Sequence, residues 1–189
     1  MSSYEELRLI ALAEFARMGY AGTSLQHVAD IAGLSKSSVL YHFSSKEALL
    51  EAAVSPAINR IEAILLGIEG ASLTGERQKA FIVAFVDFLL EHRLEVNTFI
   101  NHGALLEDVP VMHRANALVG RLATYFHAAA PTVEARFRFG IALGGAAYML
   151  AAPPSMPRAD ESPDDEIRVA LITIMTELLA PVPVRPAIP

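Results

Sequence analysis

A chain of 189 residues that is 53% hydrophobic, has no cysteine and carries a formal net charge of −6 is long enough for a substantial core and too apolar to be disordered. The missing cysteines exclude a disulfide framework and any thiolate metal site, and they fit a reducing compartment. The start Met-Ser-Ser-Tyr-Glu-Glu lacks the basic and apolar regions of a secretory signal. The longest apolar stretch, 140–154, contains three glycines and is too short for a bilayer. A cytoplasmic protein with no membrane association is expected. Charge does not advertise nucleic acid either. Residues 1–55 hold Arg8, Arg17, Lys36 and Lys46 against Glu5, Glu6, Glu14, Asp30, Glu47 and Glu51, a net of −2.

Hydrophobic periodicity is helical almost throughout, and no alternating strand pattern appears. Leu7, Ile10, Ala11, Phe15 and Met18 predict a first helix from about Tyr4 to Met18, ended by Gly19. Thr23-Ser24-Leu25-Gln26 has capping-box spacing with Thr23 as cap, opening a second helix that closes at Gly33. Ser35 caps a short third helix from Lys36 to about Phe43. Ser44-Ser45-Lys46-Glu47 has the same box spacing and opens a fourth, in which Pro56 predicts a kink or a stop. Thr74 caps a fifth helix reaching about Arg93, and a sixth covers about Glu95 to Leu106. A seventh starts near Pro110 and reaches about Ala129, and an eighth runs from Pro131 to before Pro153. The segment Pro153 to Pro163 reads as a proline-rich charged loop. Ser162-Pro163-Asp164-Asp165 then supplies a cap, a first-turn proline and acids at the positive dipole end of a ninth helix reaching about Leu179. Four prolines in 181–189 prevent its continuation.

The informative stretch is 23–50. Leu25, Val28, Ala29 and Ala32 give the second helix an inward face, and Val39 and Phe43 do the same for the third. Two short helices joined by Gly33-Leu34-Ser35 suggest a helix-turn-helix, whose second helix enters the major groove. The outward face of that helix carries Lys36, Ser37, Ser38, Tyr41 and His42: hydrogen-bonding side chains without acids, as base and phosphate contacts require. Thr23 and Ser24 are simply good caps on one reading, and Lys46 is an ordinary exposed lysine.

The runs Ala32-Gly33-Leu34-Ser35, Tyr41-His42-Phe43 and Ser45-Lys46-Glu47-Ala48-Leu49-Leu50 resemble the DNA-binding signature of the TetR family of transcriptional regulators. The stretch from Arg8 to Ala16, with Gly19, is similar to that family's first helix. The resemblance covers residues 8 to about 50; beyond it only length and helix count agree. It implies an all-α homodimer with a DNA-binding domain at 1–50, a ligand-binding and dimerisation domain at 51–180 and a proline-rich tail at 181–189. It also implies that Lys36, Ser37, Ser38, Tyr41 and His42 face double-stranded operator DNA. Lys46 then meets a phosphate, and Thr23 and Ser24 set the second helix's N-terminus against the backbone. Two positions depart from the pattern: Ser37 stands where the family often has Gly, and Leu40 where it often has a phosphate-contacting Tyr.

In the fifth helix Phe81, Phe85, Phe88 and His92 fall on one face. With Phe99, His102, Phe126 and Tyr148 they make a candidate wall for a small, mainly apolar effector; plain core packing is the other reading of each. His92, His102 and His113 do not share one helical face, so no metal or other cofactor is expected. Gly140 and Gly144 allow close approach of another helix, and Ile167, Leu171, Ile174 and Leu178 form a four-three-four seam. By family resemblance these six residues belong to a four-helix dimer interface. No P-loop, dinucleotide fingerprint, nucleophile elbow or metal-ligand pair is present, so no enzyme is expected. The expectation is a ligand-responsive repressor; the alternative is a helical ligand-binding or interaction module without DNA binding.

Overall fold

The computed structural model describes residues 3–70, 72–106, 108–151 and 162–180. Within them the chain forms α1 (Ser3–Gly22), α2 (Leu25–Ile31), α3 (Lys36–His42), α4 (Lys46–Ile68), α5 (Gly75–Glu91), α6 (Arg93–His102), a 3₁₀ turn (Gly103–Leu106), α7 (Pro110–Ala129), α8 (Val133–Ala151) and α9 (Asp164–Leu178). No strand occurs among the described residues. Most of the loop expected at Pro153–Pro163 and all of the tail at 181–189 lie outside them.

The starts of the helices are set by small polar caps, though not always the ones the spacing suggested. Ser24, not Thr23, caps α2 by accepting from the His27 backbone N–H at 3.1 Å. Ser45, not Ser44, caps α4 by accepting from Ala48 N–H. Ser35 caps α3 as expected. Thr132 accepts from Ala135 N–H at the start of α8. Pro163 sits one position before α9, so Asp164, Asp165 and Glu166 occupy the first turn against the dipole. Gly19 interrupts α1 with φ +74° and ψ 166°, a conformation nearly confined to glycine.

Pro56 does not end α4, which is one α-helix from residue 46 to 68. The proline removes one backbone donor, but Ala53, Val54, Ala57 and Ile58 around it are all buried and hold the helix in place. The domain boundary expected at residue 50 therefore falls inside a continuous helix. Leu49 and Leu50 at its start are fully buried, alongside Leu7, Ala11, Phe15, Val28, Ala29 and Val39. One apolar cluster runs from these residues through α4 into the larger helical body.

In that body α9 packs on α5 and α8, and α7 packs on α4. Arg168 on α9 bonds Asp87 on α5 through two nitrogens. Arg114 and Arg121 on α7 reach Glu62 on α4 and Glu69 just past its end. The α6 helix bridges the two ends of the molecule, lying against both α1 and α8. Asn97 and Asn101 both donate to the Ala151 carbonyl at the end of α8.

Candidate DNA interface and apolar cavity

The α3 helix turns Val39 into the core and Lys36, Ser37 and Tyr41 outward. Tyr41 is 87% exposed, an extreme value for a large aromatic side chain. Ser35 Oγ lies 2.8 Å from the hydroxyls of both Ser37 and Ser38, so three hydroxyls gather at the N-terminal turn of α3. Ser38 is half-buried. His42 is half-buried too, with its ring beside those of Tyr4, Tyr41 and Phe43.

Thr23 corrects the sequence reading. It is buried, and its hydroxyl donates to the carbonyls of Glu14 and Gly19 at 3.2 and 3.0 Å. Its role is to pin α1 to the start of α2, which leaves its hydroxyl nothing to offer DNA. Ser24 stays at the surface as the cap.

Most cations of this end are already engaged. Arg8 pairs with Glu5, and Arg17 pairs with Glu14. Lys46 Nζ sits 4.0 Å above the Tyr20 ring, and burial lowers its pKa. The Tyr20 hydroxyl donates to Glu47, and burial, then that bond, pushes its own pKa to about 12. His27 Nε2 lies 2.6 Å from Glu14 Oε2. The Glu14 carboxyl is held at about 2 by its hydrogen bonds to Arg17 and His27. Among the described cations of 3–55 only Lys36 has neither an ion pair nor a ring partner.

The body holds a half-open cavity of about 590 Å³, within the range of drug-sized sites. Its walls come from five helices: Val54, Ala57, Ile58 and Ile61 of α4; Phe85, Phe88 and Leu89 of α5; Glu95 to Ile100 of α6, Asn97 excepted; Met112 to His127 on one face of α7; and Arg136 to Ala147 on one face of α8. Five rings form a ladder along it. The centroids run from Phe139 to Phe126 (4.6 Å), Phe81 (5.4 Å), Phe85 (5.8 Å) and Phe88 (6.2 Å).

Of the eight residues proposed for the wall, Phe85, Phe88, Phe99 and Phe126 line the cavity and four do not. Phe81 is buried behind them in the ladder. His92 is buried against Phe88, with Nδ1 3.2 Å from Glu95 Oε1. Tyr148 lies on the outer side of α8, 45% exposed. His102 lies at the other end of α6, where its ring packs on Gly19: a Cβ built there would meet Nδ1 at 3.2 Å, and Nε2 is 3.3 Å from the Ala16 carbonyl. Sequence reasoning missed Glu95, Thr98, Val119, Leu122, Arg136, Phe139, Leu143 and Ala147. The signal for the α8 members was present: positions 136, 139, 140, 143, 144 and 147 repeat at three and four, one helical face.

The dimer residues also divide. Gly140 and Gly144 are at the surface and border the cavity. Ile167 is buried, and Leu171 and Leu178 are half-buried against this chain's own core, so the four-three-four seam of α9 is largely satisfied within the subunit. Ile174 is 51% exposed. The larger uncovered apolar surface is on α8, where Val133, Phe137, Ile141, Tyr148 and Met149 are all exposed.

Two short helices with a tyrosine and a lysine facing outward on the second form a helix-turn-helix, a motif whose second helix enters the major groove. Residues 10–53 match the family described as bacterial regulatory proteins, tetR family. A 39-residue segment is 51% identical to the HTH-type transcriptional regulator RutR of Escherichia coli K12, covering 21% of this chain and 18% of that regulator. The whole fold is similar to that of the ketosteroid transcriptional regulator KstR2 of Mycobacterium tuberculosis: TM-score 0.70, 17% identity, 93% of this chain and 94% of that one. It is equally similar to SCO3833, a TetR-family member from Streptomyces coelicolor A3: TM-score 0.70, 24% identity, 95% and 92% covered. Residues 10–53 thus carry a tetR-family DNA-binding domain, and the whole chain shares the fold of KstR2 and SCO3833. No described helix is long and apolar enough to cross a membrane.

Proposed function

We propose that the protein is a cytoplasmic homodimeric repressor that binds a palindromic operator through α3 and is released by a small, mainly apolar effector. The observation that carries the DNA half is Tyr41, 87% exposed on the same helix as a free-standing Lys36, the second helix of a helix-turn-helix, which by the habit of that motif enters the major groove. The dimer rests on the exposed apolar face of α8, which is too extensive for a lone soluble chain and which a second copy buries by two-fold symmetry. The effector half rests on the chamber. Its α6 wall continues to His102, which packs on Gly19 of α1, and its α4 wall continues to Lys46 beside Tyr20. Two walls of the chamber are thus mechanically attached to the helix-turn-helix. An effector that prefers one setting of α4 and α6 changes the spacing of the two α3 helices and lowers operator affinity by its own preference between the two states.

The test is a gel shift with the DNA upstream of the chain's own coding region, alongside light scattering. A discrete shifted complex and a mass near twice 20.4 kDa support the reading. A monomer with no sequence-specific shift overturns it in favour of a ligand-binding module.

A further inference from the structure

We infer that the effector is an elongated monoanion, an apolar body with a single carboxylate head, whose head seats at Arg136. The inference rests on the effector reading above and names the ligand class of that chamber.

The chamber is long. Its α8 wall runs from Arg136 to Ala147, about 16 Å at 1.5 Å of rise per residue. The short α7–α8 connection makes those helices antiparallel. His127 and Arg136 therefore share one end of the chamber, and Met112 and Ala147 share the other. Between the ends the lining is almost wholly aliphatic and aromatic.

The polar groups are sorted by end. Arg136 and His127, both exposed, stand at the α7–α8 end. Arg136 Nε donates to the Ala130 carbonyl at 3.1 Å, which fixes the guanidinium at the turn. Its two terminal nitrogens have no partner among the described residues, and no acid lines this end. The other end holds Glu95 and Thr98, both buried. Thr98 already donates to Leu94 O, and Glu95 already faces His92.

A fixed guanidinium with free donors beside an apolar channel recognises a carboxylate in two-point fashion. The buried acid at the far end opposes a second negative charge there, because that charge would lose its water beside Glu95. Selectivity follows for an acid over its ester and for a monoacid over a diacid of equal length.

The test is displacement of Nile red from the full-length protein by dodecanoate, methyl dodecanoate and dodecanedioate near neutral pH. Dodecanoate should bind about five- to tenfold tighter than its methyl ester, the scale of one partly exposed charged hydrogen bond. The diacid should bind more weakly than the monoacid. Arg136→Gln should remove the preference for the acid over the ester. Ala123→Glu, on the facing rim of α7, should do the same by setting a carboxylate opposite the guanidinium, so the result does not hang on one variant. Equal binding of acid and ester by the wild type, or a preference that survives both substitutions, overturns the assignment of the head group. In that case ester and dye binding still leave an apolar effector chamber standing. Failure of Nile red and of all three ligands to bind overturns the chamber reading together with the head-group assignment.

Discussion

The two ends of this molecule use their side chains in opposite ways. At the helix-turn-helix the inward-facing apolar groups are packed to completion: Leu7, Phe15, Val28, Val39, Leu49 and Leu50 are fully buried. Its polar groups are committed as well, through Ser24, Ser35 and Ser45 as caps and Glu14 between Arg17 and His27. In the body the packing stops short and leaves about 590 Å³ among the rings of α5, α7 and α8. A reading head needs rigidity, because base-edge contacts tolerate little displacement. A receiving chamber needs room, and room costs stability. The difference teaches where each function is placed.

That contrast is broken most directly by removing one ring from each region. Phe15→Ala should cost about 3–5 kcal/mol in urea denaturation, because its site is filled on all sides. Phe99→Ala opens onto space that is already empty and should cost less than half as much. Equal losses would show that the chamber is packed as tightly as the head. On the surface of the head, Lys36→Ala or Tyr41→Ala should weaken operator binding by about 1–3 kcal/mol if each reads a base edge. Lys46→Ala should do less, since that ammonium is held over Tyr20.

Gly19→Ala sharpens the comparison at the joint between the ends. Its φ of +74° with ψ 166° is a conformation nearly confined to glycine and costs an alanine about 1–3 kcal/mol, and the new Cβ presses on His102. A thermal melt should show the loss, and His102→Ala should relieve part of it. A further effect is one of pH. Glu14 has its folded pKa lowered from 4.5 to about 2, so its contribution is complete above 4.5 and fades as pH falls toward 2. Stability of the wild type should therefore fall more steeply with acid over that interval than that of Glu14→Gln, in melts taken at successive pH values.

Most of the fold was legible because helices announce themselves locally. Pro110 and Ala129 bound α7 as read, and Gly19, Gly33 and Ser35 mark real breaks. What failed needed knowledge of neighbours. Thr23 and Ser24 satisfy the cap pattern equally well, and the choice is made by the carbonyls of Glu14 and Gly19, which claim the threonine. Helical spacing put His92 on the face of Phe85 and Phe88, but Glu95 holds it away from the cavity. The spacing of Ile167, Leu171 and Leu178 marks an apolar face without saying whether α5 of the same chain or another subunit covers it. Arg136 went unnoticed because a single arginine has no pattern; only the cavity beside it gives it meaning.

The central claim is that chamber and reading head are coupled. The most direct measurement is a pair of calorimetric titrations with dodecanoate, one into the free protein and one into its operator complex. By linkage, an effector that releases DNA binds the complex more weakly, and the typical coupling is about 5–150-fold. The account predicts a difference in that range. Equal affinities would contradict it, because the chamber would then receive its ligand without the helix-turn-helix registering it.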